Sequence, residues 1–168
     1  MAHDPRLLDF LESLPSERFE GVVFRYTAGH RAPDHENTLG ARWNPPAAPA
    51  IYAALDRETA IAEFHHHLSI WSPRPSRIIF TMYELRVTVS GILDLRPSDR
   101  LHATGLSLDL VGDDDFSSCQ VVGGAARWLR SGGLLVPSAR STSGSNLVVF
   151  PDIESIDIEI LSRAPLIP

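Results

Sequence analysis

A long stretch without helical or strand periodicity, residues 27–46, interrupts the first third of this chain. It is rich in glycine, proline, asparagine and histidine. The apolar run before it, residues 21–26, predicts a strand that ends in Arg25 and Tyr26, and the run after it, residues 50–54, predicts a short buried strand. Loops of this length in compact domains are often functional. The fold must therefore join two strands by a long connection, and we expect functional residues there.

Short strands and a few helices alternate over the whole chain, which indicates an α+β fold and not a doubly wound sheet. Helical spacing and caps predict helices over residues 7–14, 56–68 (with Asp56 as N-cap) and 118–130 (closed by Gly132 and Gly133). Further strands are predicted over residues 78–87 paired with 92–95, and over residues 134–138, 146–150 and 156–161. In the last strand, Ile156, Ile158 and Ile160 should face inward.

The length and composition predict one domain. With 168 residues, 43% of them hydrophobic, the chain can bury a single good core over residues 1–168. We divide it into an N-terminal helical part (1–18), a motif-bearing core (21–151), and a C-terminal strand and tail (152–168).

The charge and the termini exclude several classes of partner. A net charge of −6 argues against binding to nucleic acid. Residues 1–14 show no signal pattern, and no apolar run approaches the roughly 20 residues of a membrane span. A single cysteine fits a reducing compartment. We therefore expect a soluble cytoplasmic protein that binds neither nucleic acid nor membrane.

Two arginines stand beside aromatic residues, Arg25 before Tyr26 and Arg42 before Trp43. A guanidinium binds phosphate oxygens bidentately, and arginine is the only basic side chain in this sequence apart from histidine. Arg25 also lies in an apolar strand, where a charge needs a partner. One such arginine is more often a surface or ion-paired residue, but two of them favour an anionic ligand.

Glu63 lies on the helix predicted over residues 56–68. Ideal helix geometry places it about 130° from the centre of the apolar stripe, so it can face a cleft, although most helix glutamates are solvated. Tyr26 and Tyr52 could form flat walls of that cleft, although a buried tyrosine is usually part of the core. Ser138 emerges at a strand end without a nucleophile-elbow motif, so we interpret it, with Asn146, as a hydrogen-bonding residue.

Two further clusters of polar residues do not predict a metal site. His65, His66 and His67 are consecutive, and consecutive helix positions point about 100° apart, so the three cannot chelate one ion. The acidic run 113–115 is interpreted as a solvated lead-in to a helix. We expect no metal and no cofactor.

These residues together resemble the RES domain family, over about residues 21–151. The resemblance rests on the order Arg25, Arg42-Trp43, Tyr52, Ala60-x-x-Glu63 and Pro137-Ser138. Members are mostly toxins of bacterial toxin–antitoxin pairs, with a fold like that of ADP-ribosyltransferases. One departure is Ala41, where the family commonly has glycine; alanine is small enough unless the backbone there needs a positive φ.

The resemblance implies that NAD is the substrate and that the nicotinamide–ribose bond is cleaved by hydrolysis or phosphorolysis. Glu63 would stabilise the oxocarbenium-like state, with Arg42 and Tyr52 completing the catalytic set. The implied substrate-binding residues are Arg25, Tyr26, Arg42, Trp43, Tyr52, Ser138 and Asn146.

Two other functions stay open at this point. One is transfer of ADP-ribose to a host protein, because water, phosphate and a protein side chain can all attack the same carbon. The other is a non-catalytic nucleotide-sensing or interaction module. For a toxin, the resemblance further implies a cognate helix-turn-helix antitoxin of the Xre-like type as partner.

Overall fold

The structure, a computed structural model, describes residues 2–71 and 77–167. Within these residues the chain forms five helices: α1 (Pro5–Ser13), α2 (Arg57–Ile70), α3 (Ser98–Ala103), α4 (Leu108–Gly112) and α5 (Ser117–Trp128). The strands of the same residues are β1 (Glu17–Ala28), β2 (Ile51–Ala54), β3 (Phe80–Asp94), β4 (Gly133–Pro137), β5 (Ser145–Val149) and β6 (Asp157–Leu166). The predicted α+β fold, a mixed β core with flanking helices, is confirmed.

The strands form one sheet that closes on itself. Their order is β1-β2-β5-β4-β3-β6, and β1 also pairs with β3, so the first five strands make a ring. Only β3 and β4 run parallel, and β6 pairs with β3 alone. The joint between β1 and β2 is narrow, since a single residue pair, Phe24 and Ala54, connects them. The ring is therefore almost open at this joint.

Apolar side chains from all five ring strands fill one core cluster. It includes Val23, Ile51, Leu85, Leu135 and Leu147, which are all buried. A second cluster lies where α1 and α5 pack against the sheet. None of the helices in residues 2–71 and 77–167 is long and apolar enough to cross a membrane.

The helix that carries Glu63 begins as predicted. Asp56 is its N-cap: its carboxylate accepts hydrogen bonds from the backbone N–H of Thr59 (2.8 Å) and from the Thr59 hydroxyl (2.8 Å). Such caps satisfy donors that the first helical turn leaves unpaired. The cap therefore fixes where the helix starts and hence which residues face the sheet.

The prediction of paired strands over residues 78–87 and 92–95 is wrong. Both segments belong to the continuous strand β3, which pairs with β1 and β6. Gly91 has a left-handed φ of 74°, but it does not reverse the chain; a Cβ there would lie 2.9 Å from the Gly132 amide nitrogen. The glycine therefore serves close packing of two backbone segments and not a turn.

Two smaller predictions also differ from the structure. Ile160 is 49% exposed, because β6 pairs with the ring along only one of its edges. The C-terminal end of α5 uses Arg130, with a left-handed φ of 59°, and not Gly132 or Gly133. Those glycines instead approach backbone carbonyls of the sheet, where a Cβ would lie 2.0 Å from an oxygen in each case.

α5 fixes the long loop between β1 and β2. Gln120 donates through Nε2 to the carbonyl of Ala41 (2.9 Å), and Gly123 lies directly against the backbone of Trp43. A Cβ on Gly123 would be 1.9 Å from the carbonyl oxygen of Trp43. The adjacent Gly124 has only the His3 ring near it, at 3.3 Å. Only the first of these two helical glycines is required by packing.

This contrast predicts opposite effects for two neighbouring substitutions. Gly123→Ala should lower the free energy of unfolding by about 1–3 kcal/mol, because neither backbone can move away without displacing the loop. Gly124→Ala should raise it by up to about 1 kcal/mol, through better helix propensity and a small shift of the partly exposed His3 ring. Urea unfolding of both variants measures this. Equal stability of the two variants would contradict the packing described for α5.

Candidate active site

A cavity of about 460 Å³ opens at the narrow joint between β1 and β2. Small-molecule sites commonly enclose about 300–1,000 Å³. Its apolar lining residues include Phe24 and Phe80. The lining comes from β1, β2, α2, the start of β3 and the loop that follows β1. The polar lining residues are Arg25, Tyr26, Thr27, Arg31, His35, Glu36, Asn37, Thr38, Tyr52, Glu63 and His67.

Glu63 faces this cavity from α2, as predicted from its helical position. Its Oε1 accepts hydrogen bonds from the hydroxyl of Ser138 (2.9 Å) and from Nδ2 of Asn146 (2.6 Å). Both donors are buried, at 8% and 9% exposure. Oε2 accepts no hydrogen bond from a described residue, so it is available to a molecule in the cavity.

Ser138 and Asn146 are positioned by the sheet. Asn146 lies in β5, and Ser138 follows β4, with its Oγ accepting the backbone N–H groups of Arg140 (3.1 Å) and Ser141 (3.2 Å). The Ser138 hydroxyl and the Asn146 amide both donate to Glu63. This differs from the sequence-based prediction, in which these groups donate to the ligand. Oδ1 of Asn146 is buried without a partner among the described residues, so the Glu63 contact alone orients the amide.

Arg25 anchors the long loop. Its guanidinium donates to the carbonyl of Pro33 (2.8 Å) and to that of His35. Burial lowers the pKa of Arg25 to about 10, partly offset by the nearby Asp34. These carbonyls supply the partner that a cation in an apolar strand requires. Two bonds leave three of the five guanidinium N–H donors for a ligand.

Arg42 points away from the cavity lining, towards the segment between α4 and α5. Its Nη1 donates to the carbonyls of Val111 and Asp113, and its guanidinium lies over the Phe116 ring, 4.4 Å from the centroid. Burial and the neighbouring Arg140 lower the pKa of Arg42. The predicted phosphate contact therefore needs the remaining N–H donors of this guanidinium or a movement of the side chain.

Residues 113–115 lie where the helix lead-in was predicted, and all three are exposed. Asp115 accepts the backbone N–H of Ser117 at the start of α5 (2.9 Å). Asp114 forms an ion pair with Arg140 (2.8 Å), and this contact lowers the pKa of Asp114. No sequence pattern predicts this ion pair, since 26 positions separate the two residues.

Tyr52 joins the cavity wall to the loop. Its hydroxyl donates to Oδ1 of Asn44 (2.6 Å) and accepts the backbone N–H of Trp43 (2.9 Å). Burial raises the pKa of Tyr52, so the hydroxyl remains protonated. The ring lines the cavity as predicted, while the hydroxyl is used to hold the loop.

Trp43 corrects a further prediction. Its side chain is 2% exposed and packs in the core cluster of α1 and α5, so it does not line the cavity. The aromatic residue beside Arg42 is therefore a structural anchor of the loop. The departure from the family pattern at Ala41 is harmless, because the left-handed conformation falls on Gly40 (φ 93°) and not on Ala41.

His67 is a cavity residue that the sequence reasoning missed. It follows Glu63 by four positions, so both lie on the same side of α2. That spacing was the available signal, and the run of three histidines hid it. In the described ranges, no group of three or more His, Cys, Asp or Glu side chains is placed to hold a metal ion.

Comparisons with known proteins agree on one family. The family model described as RES domain matches residues 21–164. The NAD(+) phosphorylases MbcT of Mycobacterium tuberculosis and of Mycobacterium bovis are each 33% identical over 155 residues, covering 88% of this chain and 82% of the relative. The crystal structure of the M. tuberculosis MbcT–MbcA toxin–antitoxin complex contains a similar fold, with a TM-score of 0.85, 28% identity, and coverage of 98% of this chain and 94% of that one.

Proposed function

The chain belongs to the RES domain family, and on this premise we propose that it is a toxin that consumes NAD by cleaving the nicotinamide–ribose bond. The observation that carries the proposal is Glu63, whose Oε1 is held by two buried donors while Oε2 is available to the cavity. Cleavage of a glycosidic bond develops positive charge on the ribose. A carboxylate oxygen fixed beside that charge stabilises the transition state without reorganising.

The other site residues take supporting roles in this proposal. Tyr26 and Tyr52 form walls for the nicotinamide and its ribose, since both rings line the cavity. Arg25 binds phosphate oxygens through the guanidinium donors that the carbonyls of the loop after β1 leave unused. Arg42 binds them through its own unused donors or after a movement of its side chain, because its Nη1 is bonded to carbonyls at the end of α4 and just after it. Ser138 and Asn146 act on the substrate through Glu63.

Phosphate is the acceptor that we favour, because the relatives at 33% identity are NAD(+) phosphorylases. The nicotinamide–ribose bond breaks, nicotinamide leaves with the electron pair, and a phosphate oxygen forms the new bond to the same ribose carbon. Water as acceptor gives free ADP-ribose by the same route. Transfer to a protein side chain is the second enzymatic candidate.

We further propose a helix-turn-helix antitoxin as the cognate partner and the cytoplasm, where NAD is present, as the place of action. Support comes from the MbcT–MbcA complex, whose toxin shares this fold. The rim of the cavity offers a contact surface, since the loop residue Leu39 lines it and is 87% exposed.

The first prediction about function concerns the products of the reaction. The purified protein should release nicotinamide from NAD, and the second product, identified by mass spectrometry, should carry a phosphate on the ribose in phosphate buffer. In a phosphate-free buffer the rate should fall. Unchanged NAD, with no ADP-ribosylated protein detectable, would refute both enzymatic proposals and favour the nucleotide-sensing module.

The second prediction concerns the role of Glu63. Glu63→Gln keeps an acceptor for Ser138 and Asn146 but removes the negative charge, so kcat should fall by about 10²–10³ while NAD still binds. Glu58→Gln is the matched control, because Glu58 lies on the same helix and is exposed. If Glu63→Gln turns over NAD at close to the wild-type rate, Glu63 is not the catalytic carboxylate.

The third prediction concerns the antitoxin. If it covers the cavity, the co-purified complex should bind NAD far more weakly than the free protein, as measured by calorimetric titration. Leu39→Asp, on the rim, should weaken the complex and leave the fold intact, because this side chain is exposed. Undiminished NAD binding by the intact complex would place the control of activity elsewhere.

A further inference from the structure

We propose that His67 is a positioning residue of the site, which accepts the hydroxyl of Tyr26 at Nδ1 and thereby fixes the tyrosine ring in the cavity wall. The inference rests on the proposed function, since it names a residue that shapes the NAD site. It starts from the three consecutive histidines of α2, only one of which lines the cavity.

The three histidines have different surroundings. His65 is exposed, and His66 lies near enough to Asp114 to influence that carboxylate. His67 is half-buried and shares the cavity wall with Glu63, one helical turn earlier. Consecutive helix positions diverge by about 100°, which explains the separation. Of the three histidines, His67 alone lines the cavity, and the other two lie outside its wall.

The contacts of His67 point to Tyr26. Nδ1 lies 3.4 Å from the tyrosine hydroxyl, which is somewhat longer than most hydrogen bonds in proteins. The imidazole packs edge-on against Trp71, with centroids 4.6 Å apart, and Tyr26 packs edge-on against Phe64 at 5.2 Å. Both rings are thus restrained by neighbours. Polar contacts in a ligand-free site often shorten when substrate binds.

The protonation states fit this hydrogen bond. Burial and the neighbouring His66 lower the pKa of His67, so the imidazole is neutral at physiological pH and can accept a proton donor. Burial and Glu63 raise the pKa of Tyr26, so its hydroxyl stays protonated and donates. With Nδ1 as acceptor, the proton of the imidazole sits on Nε2.

The physical consequence is an ordered, uncharged wall close to Glu63. The nicotinamide ring of NAD carries a positive charge, which a neutral imidazole does not repel. Tyr26 lines the same cavity, and its hydroxyl would otherwise have no partner among the described residues. Loss of the His67 acceptor should therefore weaken NAD binding and leave the charge on Glu63 unaffected.

The test compares His67→Phe, His67→Asn, Tyr26→Phe and the double variant His67→Phe with Tyr26→Phe. His67→Phe should raise the KM for NAD roughly three- to tenfold, the effect of one hydrogen bond, with a smaller change in kcat. His67→Asn should keep the KM for NAD close to that of the wild type, because the amide oxygen of asparagine can take the place of Nδ1. The double variant should be no worse than the worse single variant, since both remove the same bond.

His65→Phe and His65→Asn are the matched controls and should behave like the wild type. Three results would each overturn the inference. They are an equal effect of His65→Phe and His67→Phe, additive effects of His67→Phe and Tyr26→Phe, and no recovery with His67→Asn.

The nitrogen NMR shifts of His67 provide a readout that does not depend on turnover. They should show the Nε2–H form in the wild type, and Nδ1 should change in Tyr26→Phe; an Nδ1–H form would contradict the proposal. If the wild type leaves NAD intact, the proposed function fails separately.

Discussion

The hydrogen bonds from Ser138 and Asn146 to one oxygen of Glu63 are the contact on which the site depends. They link α2 to the ends of β4 and β5 and determine which carboxylate oxygen is available to the cavity. Both donors are buried, so breaking either bond would leave a polar group without a partner, which is costly. The sheet thereby holds the acid of the site more rigidly than the helix alone could.

The long loop after β1 is held by contacts with α5, β2 and β1. Trp43 is buried against α5, where Gly123 allows the backbones to touch, and Tyr52 bonds the loop to β2. Arg25 ties the loop to β1 through the carbonyls of Pro33 and His35. The cavity rim is thus fixed by core packing and backbone acceptors, although the loop itself lacks regular structure. Substitutions that disturb the packing of Trp43 should therefore alter the cavity rim, even when they lie outside the cavity.

The sequence predicted what local rules determine. Helical spacing placed Glu63 towards a cleft, and the Asp56 cap was found as expected. The targets of Arg25 and Arg42 could not be predicted, because the carbonyls that they bind become neighbours only through the tertiary fold. The burial of Trp43 and the continuity of β3 past Gly91 also follow from close approaches between distant backbone segments. A glycine in a sequence does not distinguish a turn from such an approach.

In the proposed reaction, Oε2 of Glu63 faces the ribose of NAD. A crystal structure of Glu63→Gln with NAD bound tests it most directly, because the glutamine keeps the hydrogen-bonded shape and slows turnover. The account predicts the nicotinamide-bearing ribose in the cavity at the joint of β1 and β2. Its anomeric carbon should lie within about 3.5 Å of the side-chain atom that replaces Oε2. NAD bound elsewhere, or with its adenine end at residue 63, would contradict the account.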